Sequence, residues 1–401
     1  MTTTPEAAAP AAPAVGVTAP AGFRAAGVTA GLKASGKPDL ALVVNDGPLR
    51  HAAAVFTSNR VAAAPVHWSR QAVSDGRADA VVLNSGGANA CTGPLGFQNT
   101  HATAEHVGAA LGVSPVDVLV CSTGLIGEQL PMDKLLPGID AAAAALAGGR
   151  GEDGGAAAAA SIMTTDSVPK EAGFRGHGYT IGGMAKGAGM LAPGLATMLV
   201  VLTTDAAVEP AALDAALRAA TRVSFNRTDS DGCMSTNDTV ILLASGASGT
   251  APGAADFAAG LAAVCTDLAA QLIRDAEGAA HDITVRTFNA ATEEDAEEVG
   301  RAVARSNLFK TAIFGRDPNW GRVLSAVGTT RAAFEPDRLN VAMNGVQICR
   351  DGGIGEDRSL VDLSGREVLV EIDLAAGDAE ASIWTNDLTH EYVHENSAYS
   401  S

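Results

Sequence analysis

The sequence predicts an α/β sandwich, in which stacked β-sheets are covered by helices. Along the 401 residues, short runs rich in Val, Leu and Ile alternate with Ala-rich stretches of helical character. Several of the apolar runs are continuous rather than alternating, which is typical of strands buried on both faces. Buried strands with segregated helices favour an architecture of sheet layers covered by helical layers.

Nine short, apolar runs are predicted as strands. Most of them are continuous, as expected for strands buried on both faces, and the last one alternates between apolar and polar residues. They are Leu40–Val44, Ala80–Leu83, Val118–Cys121, Thr197–Leu202, Thr239–Leu243, Ile283–Thr287, Asn340–Met343, Val368–Ile372 and Ala379–Trp384.

Two helices follow from local signals. The stretch Ala255–Ala276 carries one apolar stripe at spacings of three and four residues, and Gly278 is a stop signal. A second helix starts at Thr292, whose hydroxyl can cap free amides, and acidic residues follow at its positive end. The first helix places Asp275 and Glu277 at its C-terminus, where the helix dipole disfavours carboxylates. These acids are either solvated surface residues or carboxylates held there for a cationic ligand.

The composition excludes several classes of partner. Acidic residues outnumber basic residues by 45 to 27, and the formal net charge is −18. Such a chain repels phosphate groups, so we expect no nucleic-acid partner and no membrane partner. The apolar runs are also shorter than the roughly 20 residues that cross a bilayer. The five cysteines are scattered without a C-x-x-C pair, which favours a reducing, cytoplasmic location.

The length suggests two or three structural units, at about 150 residues per domain. Residues 1–20 contain several prolines and lack the basic start and unbroken apolar core of a secretory signal. We therefore predict a disordered tail over residues 1–20. A candidate subdomain runs from about residue 285 to residue 401.

One metal-binding motif matches by its letters. His390-Glu-Tyr-Val-His394 is H-E-x-x-H, which binds zinc when both histidines lie on one helix. Its context argues against a metal, because the motif lies beside a strand-like segment near residue 401 and no third ligand follows. We expect neither a metal nor a cofactor.

The stretch that carries chemistry is Gly182–Asp205. A glycine-rich loop with one lysine, Lys186, runs into Thr197 at the start of a very apolar strand. By pattern alone, this Thr is a structural strand residue and this Lys is a solvated loop residue.

A wider set of segments changes that interpretation. Lys186–Leu199 reads K-G-A-G-M-L-A-P-G-L-A-T-M-L and resembles the self-cleavage segment of the ornithine acetyltransferase family, the bifunctional glutamate N-acetyltransferases of arginine biosynthesis. Further family signatures follow in the right order over almost the whole chain. They are Val55–Arg60, Asn84–Gly93, Ser122–Gly124, Met163–Asp166, Ser235–Asp238, Lys310–Arg322 and Asn386–Thr389. The resemblance implies the αββα-like sandwich of the ornithine acetyltransferase and DmpA fold.

The resemblance also implies an enzyme that cuts itself between Ala196 and Thr197. The products would be an N-terminal chain, folded over residues 21–196, and a C-terminal chain of residues 197–401. The freed α-amine of Thr197 has an ordinary pKa of about 7.7–8.0, so one residue holds both the nucleophile and its base. Thr197 would take acetyl from N-acetylornithine and pass it to glutamate in a ping-pong reaction.

Further site residues are implied by motif. Thr123 and Gly124, which follow a predicted strand, correspond to the oxyanion hole. The implied substrate contacts are Thr164, Lys186, Thr197, Glu277, Asn396 and Ser401. The substrates are small and doubly charged, so Lys186 suits a carboxylate or the developing oxyanion, and Glu277 suits an amino group. The family further implies a heterotetramer with two copies of each chain.

Two positions depart from the family pattern. Cys233 stands where the family has an acid, which puts local polar pairing in question rather than the reaction. Ser401 stands where Thr is commoner, and serine keeps the hydroxyl.

Three alternatives stay open at this point. Acetyl-CoA is a second candidate acetyl donor, as a co-substrate. A self-cleaving amidase or aminopeptidase would let water, rather than glutamate, resolve the acyl-enzyme. An uncleaved amino-acid-binding protein would keep the fold without the chemistry.

Overall fold

The computed structural model describes residues 15–148, 154–192 and 198–398. The described strands are β1 (Phe23–Val28), β2 (Leu40–Asn45), β3 (His51–Phe56), β4 (Ala80–Ser85), β5 (Val118–Thr123), β6 (Lys170–Arg175), β7 (Thr180–Lys186), β8 (Leu199–Thr204), β9 (Thr239–Ala244), β10 (Asp282–Ala290), β11 (Asn340–Met343), β12 (Val346–Arg350), β13 (Gly353–Ile354), β14 (Glu367–Asp373) and β15 (Ala379–Asn386). The described helices are α1 (Ala64–Ala72), α2 (Gly93–Leu111), α3 (Met132–Ala147), α4 (Gly154–Ser161), α5 (Pro210–Val223), α6 (Ala254–Arg274), α7 (Glu293–Ala304), α8 (Asn307–Phe314), α9 (Trp320–Val327) and α10 (His390–Ala398).

Two sheets stack face to face and form the centre of the fold. The first has the order β1-β2-β4-β5, and the second has the order β3-β9-β8-β7-β6. Side chains from both sheets share one buried core between them. Helices α2 and α3 cover the outer face of the first sheet, and α5 and α6 cover the outer face of the second. The layers therefore run helix, sheet, sheet, helix, and the predicted fold class is confirmed.

The continuous apolar runs have the environment that the sequence predicts. In β2, Leu40 and Leu42 pack under the helices, whereas Ala41 and Val43 face the second sheet. Successive side chains of a strand point to opposite faces, so a strand buried on both faces needs an apolar residue at every position. The predicted strands are present. Only the start of the run at Thr197 lies outside the described residues, and β8 begins at Leu199.

A third sheet has the order β13-β12-β11-β14-β10-β15 and lies within the segment proposed as a subdomain. Helices α7, α8 and α9 pack on it around a separate core. A bridge between Thr228 and Trp384 and a hydrogen bond from Asp229 N to Trp384 O (2.8 Å) connect this sheet to the segment before β9. These contacts attach the third sheet to the segment that leads into β9 of the second sheet.

Both predicted helices are present. The apolar stripe of α6 packs on the second sheet. By length and composition α6 could also cross a membrane, but half of that apolar window is buried inside the protein. At the start of α7, Thr292 Oγ1 accepts the N–H of Asp295 at 3.1 Å, as the cap prediction requires.

The predicted tail needs a correction at its C-terminal end. Residues 1–14 lie outside the described part of the chain. Gly16 N donates to Ala172 O at 3.2 Å, and Val17 is fully buried. The packed chain therefore begins before residue 20, because Val17 contributes to the core between the two sheets.

Candidate active site

One cleft gathers polar residues that the motifs predict. It has a cavity volume of about 110 Å³ and lies where the ends of β5, β7 and α6 meet. Six predicted residues line it, namely Thr123, Gly124, Thr164, Lys186, Glu277 and Asn396. Three others lie outside the described residues, namely Ala196, Thr197 and Ser401.

The pairing of β7 with β8 places the start of the strand that follows the predicted cleavage point beside this cleft. The two strands are antiparallel, with Leu199 opposite Lys186. Met198 N donates to Asp238 Oδ1 at 3.1 Å, and Asp238 is fully buried. Because Met198 is bonded directly to Thr197, these contacts determine where the residue after the predicted nucleophile enters the sheet.

The prediction of a glycine-rich loop around Lys186 is wrong for residues 182–186. These residues belong to β7, which pairs with β6 on one side and β8 on the other. A Cβ on Gly182 would overlap the carbonyl oxygen of Gly16, so this glycine reflects a close backbone approach rather than a turn. Lys186 ends the strand and is 1% exposed. The solvated-loop interpretation of this lysine is therefore wrong as well.

Thr123 and Gly124 stand at the end of β5 in a rigid arrangement. Thr123 O accepts the N–H groups of Gly86 and Gly87, both at 2.9 Å. Gly124 has a φ of +125°, which favours glycine, and a Cβ there would lie 2.6 Å from Gly87 N. The loops after β4 and β5 are thus locked together at the wall of the cleft. Preorganisation of this kind is what an oxyanion hole requires.

Glu277 lies just beyond α6 and is held from several sides. Its N–H donates to Ala188 O at 2.9 Å, and its Oε2 accepts from Asn396 Nδ2 at 3.0 Å. Gly189 lies against the carboxylate, where a Cβ would be 2.5 Å from Oε2. Asn396 belongs to α10, so the C-terminal helix reaches the cleft.

Lys186 faces a buried carboxylate. Its Nζ lies 3.8 Å from Asp166 Oδ2. Burial lowers the pKa of Lys186, and the nearby carboxylates, above all Asp166, oppose that shift. Burial raises the pKa of Asp166, but the ammonium groups of Lys186 and Lys170 outweigh burial and lower this pKa to about 2. Asp166 is therefore an anion at neutral pH.

Asp275, the other acid at the end of α6, has an internal partner. Its Oδ2 accepts from Lys170 Nζ at 2.6 Å and from Ser167 N at 2.9 Å. Lys170 Nζ also donates to Asp166 Oδ1 at 2.7 Å. For Asp275 both earlier interpretations are wrong, because the acid is neither solvated nor directed at an external cation. Glu277 is the acid that lines the cleft.

The H-E-x-x-H motif lies on a helix, contrary to its predicted context. His390 and His394 belong to α10 and are one turn apart. The His390 ring packs edge-on against Phe314, with ring centroids 5.5 Å apart. Within residues 15–148, 154–192 and 198–398, no group of three His, Cys, Asp or Glu side chains is placed to hold a metal ion.

A comparison with protein-family models decides the family. The model of the ArgJ family matches residues 24–401. This chain belongs to the ArgJ family. Two ArgJ relatives support the assignment over almost the full length. The arginine biosynthesis bifunctional protein ArgJ of Streptomyces coelicolor is 67% identical over 385 residues, 96% of this chain and 100% of that protein. The protein of the same name from Mycobacterium leprae is 58% identical over 392 residues, 96% of each chain.

Two solved structures are also similar to this chain. Ornithine acetyltransferase of Mycobacterium tuberculosis, complexed with ornithine, is 54% identical and covers 46% of this chain and 96% of that one, with a TM-score of 0.41. The ArgJ protein of Bacillus halodurans is 33% identical and covers 49% of this chain and 97% of that one, with a TM-score of 0.47. The family resemblance that the motifs predict is confirmed by the family model and the relatives.

Sequence reasoning missed part of the cleft wall of this ArgJ family member. Ser235, Thr236 and Asn237 also line the cleft. Asn237 Nδ2 donates to Ala88 O at 2.6 Å and to Ser122 O at 2.8 Å, which ties the start of β9 to the end of β5. The sequence shows this segment as a polar S-T-N-D run directly before an apolar strand. That pattern identified a family signature but did not predict that these residues line the cleft.

Proposed function

We propose that this ArgJ family member transfers the acetyl group of N2-acetylornithine to glutamate through an acetyl ester on Thr197. The observation that carries the proposal is one cleft lined by a buried lysine, Lys186, and a buried glutamate, Glu277, with Lys186 opposite Leu199 at the start of the strand that follows Thr197. Both substrates carry a carboxylate and an amino or acetylamino group. The names of the relatives and the ornithine complex of the M. tuberculosis protein support the same substrate class.

Maturation is the first step of the proposed mechanism. The Thr197 hydroxyl adds to the carbonyl carbon of Ala196, the peptide C–N bond breaks, and the amide nitrogen takes up the hydroxyl proton. Water then hydrolyses the resulting ester, so that Ala196 ends in a carboxylate and Thr197 regains its hydroxyl beside a free α-amine. The products are the chains 1–196 and 197–401. An α-amine with a pKa of about 7.7–8.0 is partly unprotonated at neutral pH and can serve as a general base.

Transfer proceeds in two half-reactions. Thr197 Oγ attacks the acetyl carbonyl, the α-amine takes the proton and gives it to the leaving nitrogen, and ornithine departs. The amine of glutamate then attacks the acetyl ester, and N-acetylglutamate leaves as Oγ regains its proton. An oxyanion forms in each half-reaction and accepts from Thr123 and Gly124, a role supported by their position on the cleft wall. Loss of one such donor typically removes about 2.7–4 kcal/mol of transition-state stabilisation.

Substrate recognition uses fixed charges. Lys186 pairs with the substrate carboxylate and Glu277 with its amino group, with Thr164, Asn396 and Ser401 as further contacts. The hydrogen bond between Asn396 and Glu277 and the shared position of Thr164 and Lys186 on the cleft support these roles. We further propose a cytoplasmic heterotetramer with two copies of each chain.

Intact mass under denaturing conditions tests the maturation step. We expect two fragments, one of which begins Thr-Met-Leu. Thr197→Ala should give one uncut species without transferase activity, because nucleophile and base are both lost, and Thr197→Ser should retain some cleavage and some transfer. An active preparation that consists of one uncut species would overturn the proposal.

Side-by-side assays of acetyl donors and acceptors test the reaction itself. With N-acetylornithine and glutamate we expect N-acetylglutamate and ornithine in equal amounts. Release of acetate without N-acetylglutamate would indicate an amidase instead, and binding without turnover would indicate an amino-acid-binding protein. A third arm with acetyl-CoA is included because the relatives are named bifunctional. Acetylation of glutamate in that arm would establish a second donor.

A further inference from the structure

Four buried side chains of alternating charge form a line that begins at the cleft. Lys186 Nζ lies 3.8 Å from Asp166, Lys170 Nζ lies 2.7 Å from Asp166, and Lys170 Nζ lies 2.6 Å from Asp275. The side chain of Lys170 is 0% exposed and that of Asp275 is 9% exposed. We call these four residues the charge line. Apart from Lys186, no residue of the charge line has a role implied by the motifs.

Asp166 is the centre of the charge line. Besides Lys170, its Oδ1 accepts the N–H of Gly187 at 2.6 Å. Its Oδ2 accepts the N–H of Thr164 at 2.9 Å. One carboxylate therefore holds the backbone of a proposed substrate contact, Thr164, and the backbone directly after another, Lys186. A shift of Asp166 would move both contacts together.

The far end of the charge line returns to the same cleft. Asp275 caps the C-terminus of α6 and lies two residues before Glu277. Ser167 donates to Asp275 through both its backbone N–H and its hydroxyl. On the other side, Glu277 N donates to Ala188 O at 2.9 Å, two residues after Lys186. Lys186 and Glu277 are thus connected in two ways. One is the series of ion pairs through Asp166, Lys170 and Asp275, and the other is the backbone hydrogen bond between Glu277 and Ala188.

We propose that Asp166, Lys170 and Asp275 are positioning residues: Asp166 pairs with Lys186, Lys170 and Asp275 complete the charge balance around Asp166, and Lys186 thereby keeps a fixed spacing from Glu277, so that the cleft selects substrates with both a carboxylate and an amino group. This rests on the proposed function, which makes Lys186 and Glu277 the substrate-binding charges. Residues 166 and 170 precede the proposed cut and residue 275 follows it. The pair between Lys170 and Asp275 would therefore hold the spacing after the backbone is cut.

The charges of the charge line alternate because each of these groups has lost most of its contact with water. A buried ammonium group is stable only with a buried anion beside it, and breaking such a pair leaves the remaining charge uncompensated. Asp166 has two cations beside it, and Asp275 balances the second of them. The charged groups that act on Lys186 are Asp166, Lys170, Glu277, Asp238 and Lys33. Among these, Asp166 raises the pKa of Lys186 most, whereas Lys170 lowers it.

We therefore expect two variants to shift the pH profile of the reaction in opposite directions. Asp166→Asn removes an anion, so we expect the alkaline limb of kcat/KM for N-acetylornithine to move to lower pH. Lys170→Met removes a cation, so that limb should move to higher pH. An opposite charge within 4–6 Å shifts a pKa by about 1–3 units, so the Asp166→Asn shift should reach about one pH unit. A purely structural role would give no shift, or shifts in the same direction.

Substrate discrimination is the second measurement. N-acetylputrescine is N-acetylornithine without its carboxylate, so it reports the interaction with Lys186. We expect Asp166→Asn to raise KM for N-acetylornithine about tenfold or more, with a smaller effect on kcat, and to reduce the preference over N-acetylputrescine. Asp205→Asn is the matched control, because Asp205 is a buried aspartate that accepts the N–H of Thr180 at 2.7 Å at the other end of β7. We expect its pH limb and preference to stay as in the unmodified enzyme.

The outcomes separate the two proposals. If the unmodified enzyme makes no N-acetylglutamate, the proposed function fails. If it does, but Asp166→Asn keeps the pH limb and the preference for the carboxylate, the positioning role is overturned. Should Asp166→Asn not fold, Lys170→Met decides alone. A shift of its alkaline limb to higher pH supports the role, and an unchanged limb or a shift to lower pH rejects it.

Discussion

At Gly189, the absence of a side chain leaves room for the Glu277 carboxylate in the cleft. This glycine lies on the segment between Lys186 and the proposed cleavage point, and it packs against the carboxylate of Glu277. A Cβ there would lie 2.5 Å from Glu277 Oε2 and 2.8 Å from Oε1, closer than real Cβ contacts. The carboxylate would have to leave its position beside Asn396.

We expect Gly189→Ala to raise KM for N-acetylornithine about tenfold and to leave the protein folded, since a displacement of about 1 Å in a binding group can cost up to about 100-fold. Steady-state kinetics and circular dichroism measure the two effects. Gly365→Ala is the control, because a Cβ on Gly365 meets nothing within 4 Å. Unchanged KM in Gly189→Ala would mean that Glu277 does not bind the substrate in its present position.

Helix α7 shows how far local signals determine an element. Thr292 accepts the N–H of Asp295 at 3.1 Å, and Glu293, Glu294 and Asp295 occupy the first turn. Arg301 lies in the last turn. The cap and both charge preferences agree with the helix dipole, so this helix follows from sequence without reference to the rest of the fold.

Thr292→Ala should lower the free energy of unfolding by about 1 kcal/mol, because a free amide in the first turn of α7 loses its acceptor. The midpoint of urea unfolding, followed by circular dichroism, measures the loss. Thr292→Ser keeps the oxygen and should keep most of the stability. Equal losses in both variants would show that the methyl group of Thr292, and not the cap, matters.

Strand prediction succeeds for aliphatic strands and fails for small residues. The runs in β2, β4 and β5 are predictable because each position is apolar and faces one of two cores. By contrast, β3 (His51–Phe56) contains three consecutive alanines, and β7 (Thr180–Lys186) contains two glycines. Ala and Gly disfavour strands locally. These segments are strands because their backbones pair with β9 and β8, contacts that no local pattern reports.

At the scale of the whole molecule, the second sheet combines strands from both sides of the proposed cut. β3, β6 and β7 precede residue 196, whereas β8 and β9 follow it. In the order β3-β9-β8-β7-β6, β9 pairs with β3 and β8 pairs with β7. The two proposed chains would therefore share one sheet and the cores on both of its faces.

The cleaved chains should consequently stay together in native buffer and separate only in denaturant. Native mass spectrometry should give one assembly that contains both chains, while denaturing mass spectrometry gives them individually. The Thr197→Ala protein, which should remain uncut, is the reference for an assembly of intact chains. Free single chains in native buffer would contradict the shared sheet.

By itself the sequence determined the family, the aliphatic strands, the helices α6 and α7, and six residues that the structure places in one cleft. These follow from signals within short segments: apolar periodicity, capping residues and ordered motifs. Tertiary structure alone decided that Lys186 ends a buried strand, that Asp275 pairs with Lys170, and that Asn396 reaches Glu277. These three features depend on contacts between distant segments, and a buried charge takes its partner from whichever segment the packing brings beside it.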